Sequence, residues 1–212
     1  MDWTEQAARA IERYEGGRER DLDQRQLTQL ANAAWAAALS LLMAGRSDEA
    51  RDWFRRAAQR YRESWDAGAP AGSWGRPIAA LKALLLAGDD ATEAARWALD
   101  AGAADAESPI GRYAGTLALL VLGQDVAARA LGSTLRGRDD FPEAVADALV
   151  TVAAADRAGY LLAVEDILES FEQRTEFLED IRVADTVLVL QLLARARDVA
   201  VDLPESPLLP QR

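Results

Sequence analysis

The stretch SLLMAGRSDEA, residues 40–50, decides the fold. Before and into it, Leu27, Leu30, Ala31, Ala34, Trp35, Ala38, Leu41 and Leu42 recur three and four residues apart, which puts them on one stripe of a helix. After it, Ala50, Trp53, Phe54, Ala57, Ala58, Tyr61 and Trp65 make a second stripe. Between the stripes, Gly45 stands where a helix ends in a left-handed residue, and Ser47 is placed to cap the next helix. Two amphipathic helices with so short a joint bury both stripes by folding back on one another, as an antiparallel hairpin.

The wording then recurs. WGRPIAALKALLLAGDD (74–90) ends an apolar run at Gly88, LALLVLGQDVAA (117–128) ends one at Gly123, and Gly159 lies between AADRA and YLLAVEDIL. Gly45, Gly88, Gly123 and Gly159 follow at intervals of 43, 35 and 36 residues, the range of helical-hairpin repeats. In AGRSDEARDWFRRA the first unit resembles a tetratricopeptide repeat, with Gly45, Ala50, Phe54 and Ala57 at its turn-glycine, small, large and small positions. The later units drift by a residue and lack the closing proline, so the resemblance is to the hairpin rather than to a regular array. The expected fold class is all-α: one domain over 1–212, a right-handed stack of about five antiparallel, tetratricopeptide-like hairpins with about ten helices and a concave binding face.

The remaining elements follow from breakers and caps. Residues 1–14 read as a separate amphipathic helix, and 66–77, 102–111 and 136–144 as loops, the last with Asp140 and Glu143 as a capping box and Pro142 in the first turn. The apolar segment 180–197, interrupted by Asp185 and Gln191, reads as a buried closing helix despite the β-branched residues of TVLVLQLL. The proline-rich tail 198–212 is extended, packed on the body through Leu203, Leu208 and Leu209.

Composition limits function. The 212 residues carry a formal net charge of -11. That repels nucleic-acid phosphates and anionic membranes and favours a basic protein partner. Lys82 is the only lysine, a bias read as compositional. With no cysteine and no histidine, thiol and imidazole catalysis are excluded, along with the commonest transition-metal ligand. No phosphate loop, calcium loop or dinucleotide fingerprint occurs. The expectation is a non-enzymatic protein, without cofactor or metal. The N-terminus lacks the basic start and apolar core of a secretory signal, and no apolar run spans a bilayer, so a soluble cytoplasmic location is expected, as a monomer or weak homodimer.

Two places stand out as partner-binding candidates. Glu165, Glu169, Glu172 and Glu176 have the i, i+4, i+7, i+11 spacing of one helical ribbon, an anionic face for a basic partner or a plain solvated face. Trp74 and Arg76, in the unrepeated GSWGRP, offer an anchor for a partner, or Trp74 folds back to cap its hairpin. Trp35, Trp53 and Trp97 have core spacing. Asp185 beside Arg182, and Asp156 beside Arg157, read as structural ion pairs, and Asp89 and Asp90 as a helix start. The other readings are a small-molecule-binding helical domain with an aromatic pocket between hairpins and a carboxylate-dependent hydrolase.

FPEAVADALVTVAAADRAGYLLAVEDILESFEQRTEF (141–177) with LLARARDVAVDLPESPLLP (192–210) resembles the immunity-protein family numbered forty-nine, helical proteins of bacterial polymorphic toxin systems. Asp156, Tyr160, Leu192, Leu193, Ala194, Arg195 and the SPLLP tail carry the resemblance, and RPIAALKALLLAGDD looks like that family's central hairpin. It covers residues 75–210 and implies a protein that binds and neutralises a cognate toxin by blocking its surface. It transfers no binding residue to this chain.

Overall fold

The computed structural model describes residues 2–17 and 21–211, and folds them into ten α-helices with no strand among the described residues. These are α1 (Trp3–Gly17), α2 (Gln24–Met43), α3 (Ser47–Asp66), α4 (Gly75–Ala87), α5 (Thr92–Asp100), α6 (Pro109–Val121), α7 (Asp125–Ser133), α8 (Glu143–Ala153), α9 (Arg157–Glu172) and α10 (Asp185–Arg195). Met1 of the expected first helix lies outside the described residues. The chain forms two compact units, one from residues 1–89, 174–185 and 205–212, the other from 90–173 and 186–204.

One joint is used repeatedly. After α2, Gly45 has φ 76° and its N–H donates to Leu42 O at 3.1 Å, while Arg46 N–H donates to Leu41 O at 2.9 Å. After α4, Gly88 (φ 75°) and Asp89 donate to Leu85 O and Leu84 O at 3.1 and 3.0 Å. After α6, Gly123 (φ 68°) and Gln124 donate to Leu120 O and Leu119 O at 3.2 and 2.9 Å. Each pair satisfies carbonyls that the ending helix leaves open. The fourth joint corrects the sequence reading. Its left-handed residue is Ala155 (φ 52°), with Ala155 and Asp156 donating to Val152 O and Thr151 O at 3.1 and 2.9 Å.

Gly159 is instead inside the first turn of α9. A Cβ there would lie 2.5 Å from Asp156 Oδ2 and 2.7 Å from Thr151 Cγ2, so this glycine makes room for the capping carboxylate. Three further expectations are corrected. Ser47 is the first residue of α3 rather than its cap, and the cap position, Arg46, makes a two-pronged contact with Glu49 instead. The Asp140–Glu143 box does not form, because Asp140 is taken by Arg138 at 2.8 and 2.9 Å and Glu143 accepts Gly137 N–H at 2.7 Å. The closing helix starts at Asp185, after a 3-10 turn over Leu178–Asp180 and an extended stretch.

In the first unit α2 is the axis. Its predicted stripe is buried apart from half-buried Leu42, and Ala33, Ala36 and Ala37 bury the flanks too, so α1 and α3 both pack closely on it. Trp35 meets Phe54 edge-on at 5.4 Å and Tyr14 meets Trp53 at 5.2 Å. Asp23 and Gln26 form a capping box at the start of α2. In the second unit, consecutive helices from α6 to α9 pack on one another. Arg197 binds three elements together there: it reaches Asp125 of α7 at 3.0 Å, Leu120 O of α6 at 2.6 Å and Leu193 O of α10 at 3.0 Å. Buried Gln191 receives Tyr160 OH at 3.3 Å and exchanges bonds with the backbone of Val201 at 2.6 and 3.3 Å, which seats the start of the tail. Leu208 is buried, and Leu203 and Leu209 are half-buried.

A left-handed residue with a side chain costs about 1–2 kcal/mol relative to glycine. Gly88→Ala is therefore expected to lower unfolding stability by about 1 kcal/mol, whereas Ala155→Gly, which relieves that cost, does not lower it. Gly159→Ala lowers stability by about 1–2 kcal/mol through loss of the Asp156 cap, although helix propensity alone predicts a gain. Urea denaturation of the three variants checks the signs.

Candidate functional site

In the loop before α4, Trp74 folds back onto its hairpin, the second of the two placements its sequence allows. Trp74 is 8% exposed and its ring lies 6.0 Å from that of Trp65 on α3. Arg76 donates from Nε to Ser64 Oγ at 2.8 Å and from Nη2 to Gln24 Oε1. Ser64 Oγ also bonds Gln24 O at 2.5 Å and Thr28 Oγ1 at 2.8 Å. Burial holds the Arg76 pKa below its ordinary value. Both residues thus join the start of α4 to the end of α3, with Arg76 reaching the start of α2 as well. The indole folds back because two large rings at a loop exclude more water together than either does exposed.

The acidic ribbon is present but shorter than expected. Glu165, Glu169 and Glu172 are exposed on α9, away from the buried face of Tyr160, Val164, Ile167, Leu168 and Phe171. Glu169 accepts Gln173 Nε2 at 3.0 Å. Glu176 does not continue the ribbon: α9 ends at Glu172, and residues from Arg174 belong to the other unit. Leu162, on the same helical face, is 66% exposed.

Of the carboxylates read as structural, Asp90 lies at a helix start as expected, whereas Asp156 and Asp185 are not paired with the neighbouring arginines. Asp156 is exposed and caps α9 through Gly159 N–H at 3.0 Å. Asp90 accepts Thr92 N–H at 2.9 Å at the start of α5. Asp89 receives Arg55 Nε and Nη2 at 2.7 and 2.8 Å, and these bonds hold its carboxyl below the usual carboxylate range. Asp185 pairs not with Arg182 but with Lys82, the chain's only lysine, Nζ to Oδ2 at 2.6 Å. Arg182 is exposed and lies over the Phe177 ring at 5.7 Å.

This pair was beyond sequence reasoning, because 103 residues separate the partners. Lys82 is 8% exposed and its ammonium lies 5.8 Å from the Trp35 ring centre. Tyr61, which donates to Asn32 Oδ1 at 2.8 Å, has its hydroxyl pushed up by burial and by the charges of Glu179 and Asp185. The segment that brings Asp185 here is a strap, residues 174–185. Arg13 holds Glu179, and Ala184 N–H donates to Leu208 O of the tail at 2.9 Å. Ile181, Val183 and Ala184 are 3%, 2% and 0% exposed. Glu179 and Asp180 both have left-handed backbone, φ 57° and 58°. That strain, about 1–2 kcal/mol per residue, opposes docking. Burying Ile181 and Val183, about 1.5–3 kcal/mol each, outweighs it.

Arg13 and Glu179 also line a cleft of about 360 Å³ with Gln26, Gln29, Leu30 and Ala33, and none of its lining residues among those described is aromatic. Among the described residues no helix is long and apolar enough to cross a membrane, and no three potential metal ligands gather. No known protein family, curated protein or solved structure matches this chain.

Removing one partner of a mostly buried ion pair leaves the other charge uncompensated. Lys82→Met is therefore expected to cost about 3 kcal/mol, and Lys82→Met with Asp185→Asn less than the sum of the single changes. A double-mutant cycle by urea denaturation measures the coupling, and additive effects refute it. Ser40 Oγ is fully buried and without a hydrogen-bond partner, so Ser40→Ala is expected to raise stability by about 1 kcal/mol in the same assay.

Proposed function

We propose that this chain is a non-catalytic protein-binding module that holds a basic protein against its acidic surface. The observation that supports this best is the outward face of α9, where exposed Glu165, Glu169 and Glu172 share a helical face with exposed Leu162. Carboxylates at i, i+4 spacing repel one another by a few tenths of a kcal/mol each. A basic surface relieves that repulsion, and Leu162 at the end of the row adds apolar burial. The net charge of -11 extends the attraction beyond the contact and speeds encounter with a cationic partner. The absence of histidine and cysteine from all 212 residues argues in the same direction, since the commonest nucleophile–base pairs need one of them. The finer form of the proposal follows the resemblance to immunity-protein family forty-nine: the partner is a cognate toxin, neutralised in the cytoplasm by a monomer or weak homodimer.

Titration calorimetry against the toxin domain encoded beside this gene tests both levels. Binding is expected to weaken with added salt. The triple variant Glu165→Lys, Glu169→Lys, Glu172→Lys is expected to weaken it at least about tenfold with the fold unchanged by circular dichroism. An unaltered affinity removes α9 from the interface. If no toxin encoded nearby binds, the immunity reading is lost, and the triple variant is then tested on whichever basic protein the chain captures.

A further inference from the structure

We propose that Lys82 is a conditional acylation site: closed to an activated acyl donor while the first unit is folded, open to it once the unit opens, and, when acylated, a block to refolding. The proposal stands apart from the α9 face and starts from composition. Every basic side chain other than Lys82 in the 212 residues is an arginine. A guanidinium stays protonated and is a poor acyl acceptor, whereas a lysine amine is a good one. Acyl transfer to a basic side chain of this sequence therefore has one target, and the fold decides whether it can be reached.

In the folded chain the target is closed twice over. Lys82 is buried, and its ammonium lies 5.8 Å from the Trp35 ring centre. Its Nζ also donates to Asp185 Oδ2 at 2.6 Å. An amine attacks an acyl carbon through its lone pair, and in the ion pair that lone pair is used to hold a proton. In the open chain the amine meets water and is deprotonated for part of the time. The neutral amine then attacks the carbonyl carbon of an acyl phosphate. A nitrogen–carbon bond forms, the bond from that carbon to the phosphate oxygen breaks, phosphate leaves with the electron pair, and the amine proton passes to water. The product is an uncharged amide, longer than the lysine it replaces. On refolding it brings no positive charge to Asp185 Oδ2, in a place where the carboxylate is mostly covered. It also carries an extra acyl group into packed space beside Trp35. The reaction that the fold prevents is thus one that keeps an opened chain from closing.

The probe is acetyl phosphate, applied at one pH to the full chain in buffer and in urea, with acetylation of Lys82 followed by peptide mass spectrometry. In buffer the reaction is limited by the fraction of molecules that are open, so it is expected to run at least about a hundredfold slower than in urea. The chain acetylated in urea is then diluted into buffer and its refolding followed by tryptophan fluorescence and urea titration. The chain treated with acetyl phosphate in buffer is the control for every other reactive group. Acetylation of Lys82 is expected to lower the folded-to-unfolded ratio at least about a hundredfold against that control. Both results together support the proposal. Equal rates of Lys82 acetylation in buffer and urea overturn it, and so does a Lys82-acetylated chain that refolds with the stability of the control.

Discussion

The ammonium of Lys82 is the constraint on which the first unit turns. A cation so deeply placed among Trp35 and its neighbours needs a counter-charge, and Asp185 supplies it from the far end of the sequence. Because Asp185 must reach Lys82, residues 174–185 run along the unit as a strap instead of continuing α9 or extending α10 backwards. Because the strap arrives in that path, Glu179 meets Arg13, Ala184 meets the tail at Leu208, and two residues accept left-handed backbone. Hairpin packing explains α1 to α4, and this one pair explains the non-helical rest of the unit.

The hairpins were legible because their signal is local. The two apolar stripes of a hairpin and the joint between them are contiguous in sequence, and glycine announces the joint where the backbone turns left-handed. That marker fails at the fourth joint. Ala155 takes the same conformation and makes the same two hydrogen bonds, so the motif is set by the helix's open carbonyls and glycine only lowers its cost. Asp198 repeats the lesson after α10, where Val199 and Asp198 donate to Ala194 O and Arg195 O at 3.0 and 3.2 Å. Gly159 misled for the opposite reason. It makes space for a carboxylate rather than a turn, and sequence spacing does not distinguish the two uses.

Side-chain sites were less legible because their partners are distant. The outward placement of Glu165, Glu169 and Glu172 follows from helical period alone and was readable. Glu176 fits the period equally well, but the helix stops before it, and nothing at Gln173 resembles a stop signal. For Trp74 and Arg76, in a loop among glycines, the sequence leaves an exposed anchor and a folded-back ring both open. Their partners Trp65, Ser64 and Gln24 come from two other helices, and only tertiary placement shows a loop turned inward. Lys82 and Asp185 were each visible as anomalies, a lone lysine and an acid in an apolar run, and no local rule joins them.

Fold and surface charge are connected through the scarcity of cations. The chain has 24 basic residues against 35 acidic ones. Lys82 and Arg197, each with 10% of its side chain exposed, lie inside as bolts between distant segments, and neither contributes much positive field outside. At the surface Arg46, Arg55 and Arg138 each lie against carboxylates, which screens their charge from a visitor. Asp185 is mostly covered and Asp125 is partly covered by their partners, whereas Glu165 on α9 is exposed. Each basic side chain drawn into the structure therefore leaves the excess of carboxylates less opposed on the outside. The interactions that fix the late segments of the chain are in this sense the same ones that shape its negative surface. An added lysine on α9 perturbs that surface without touching the bolts, and this separation lets binding and stability be measured independently.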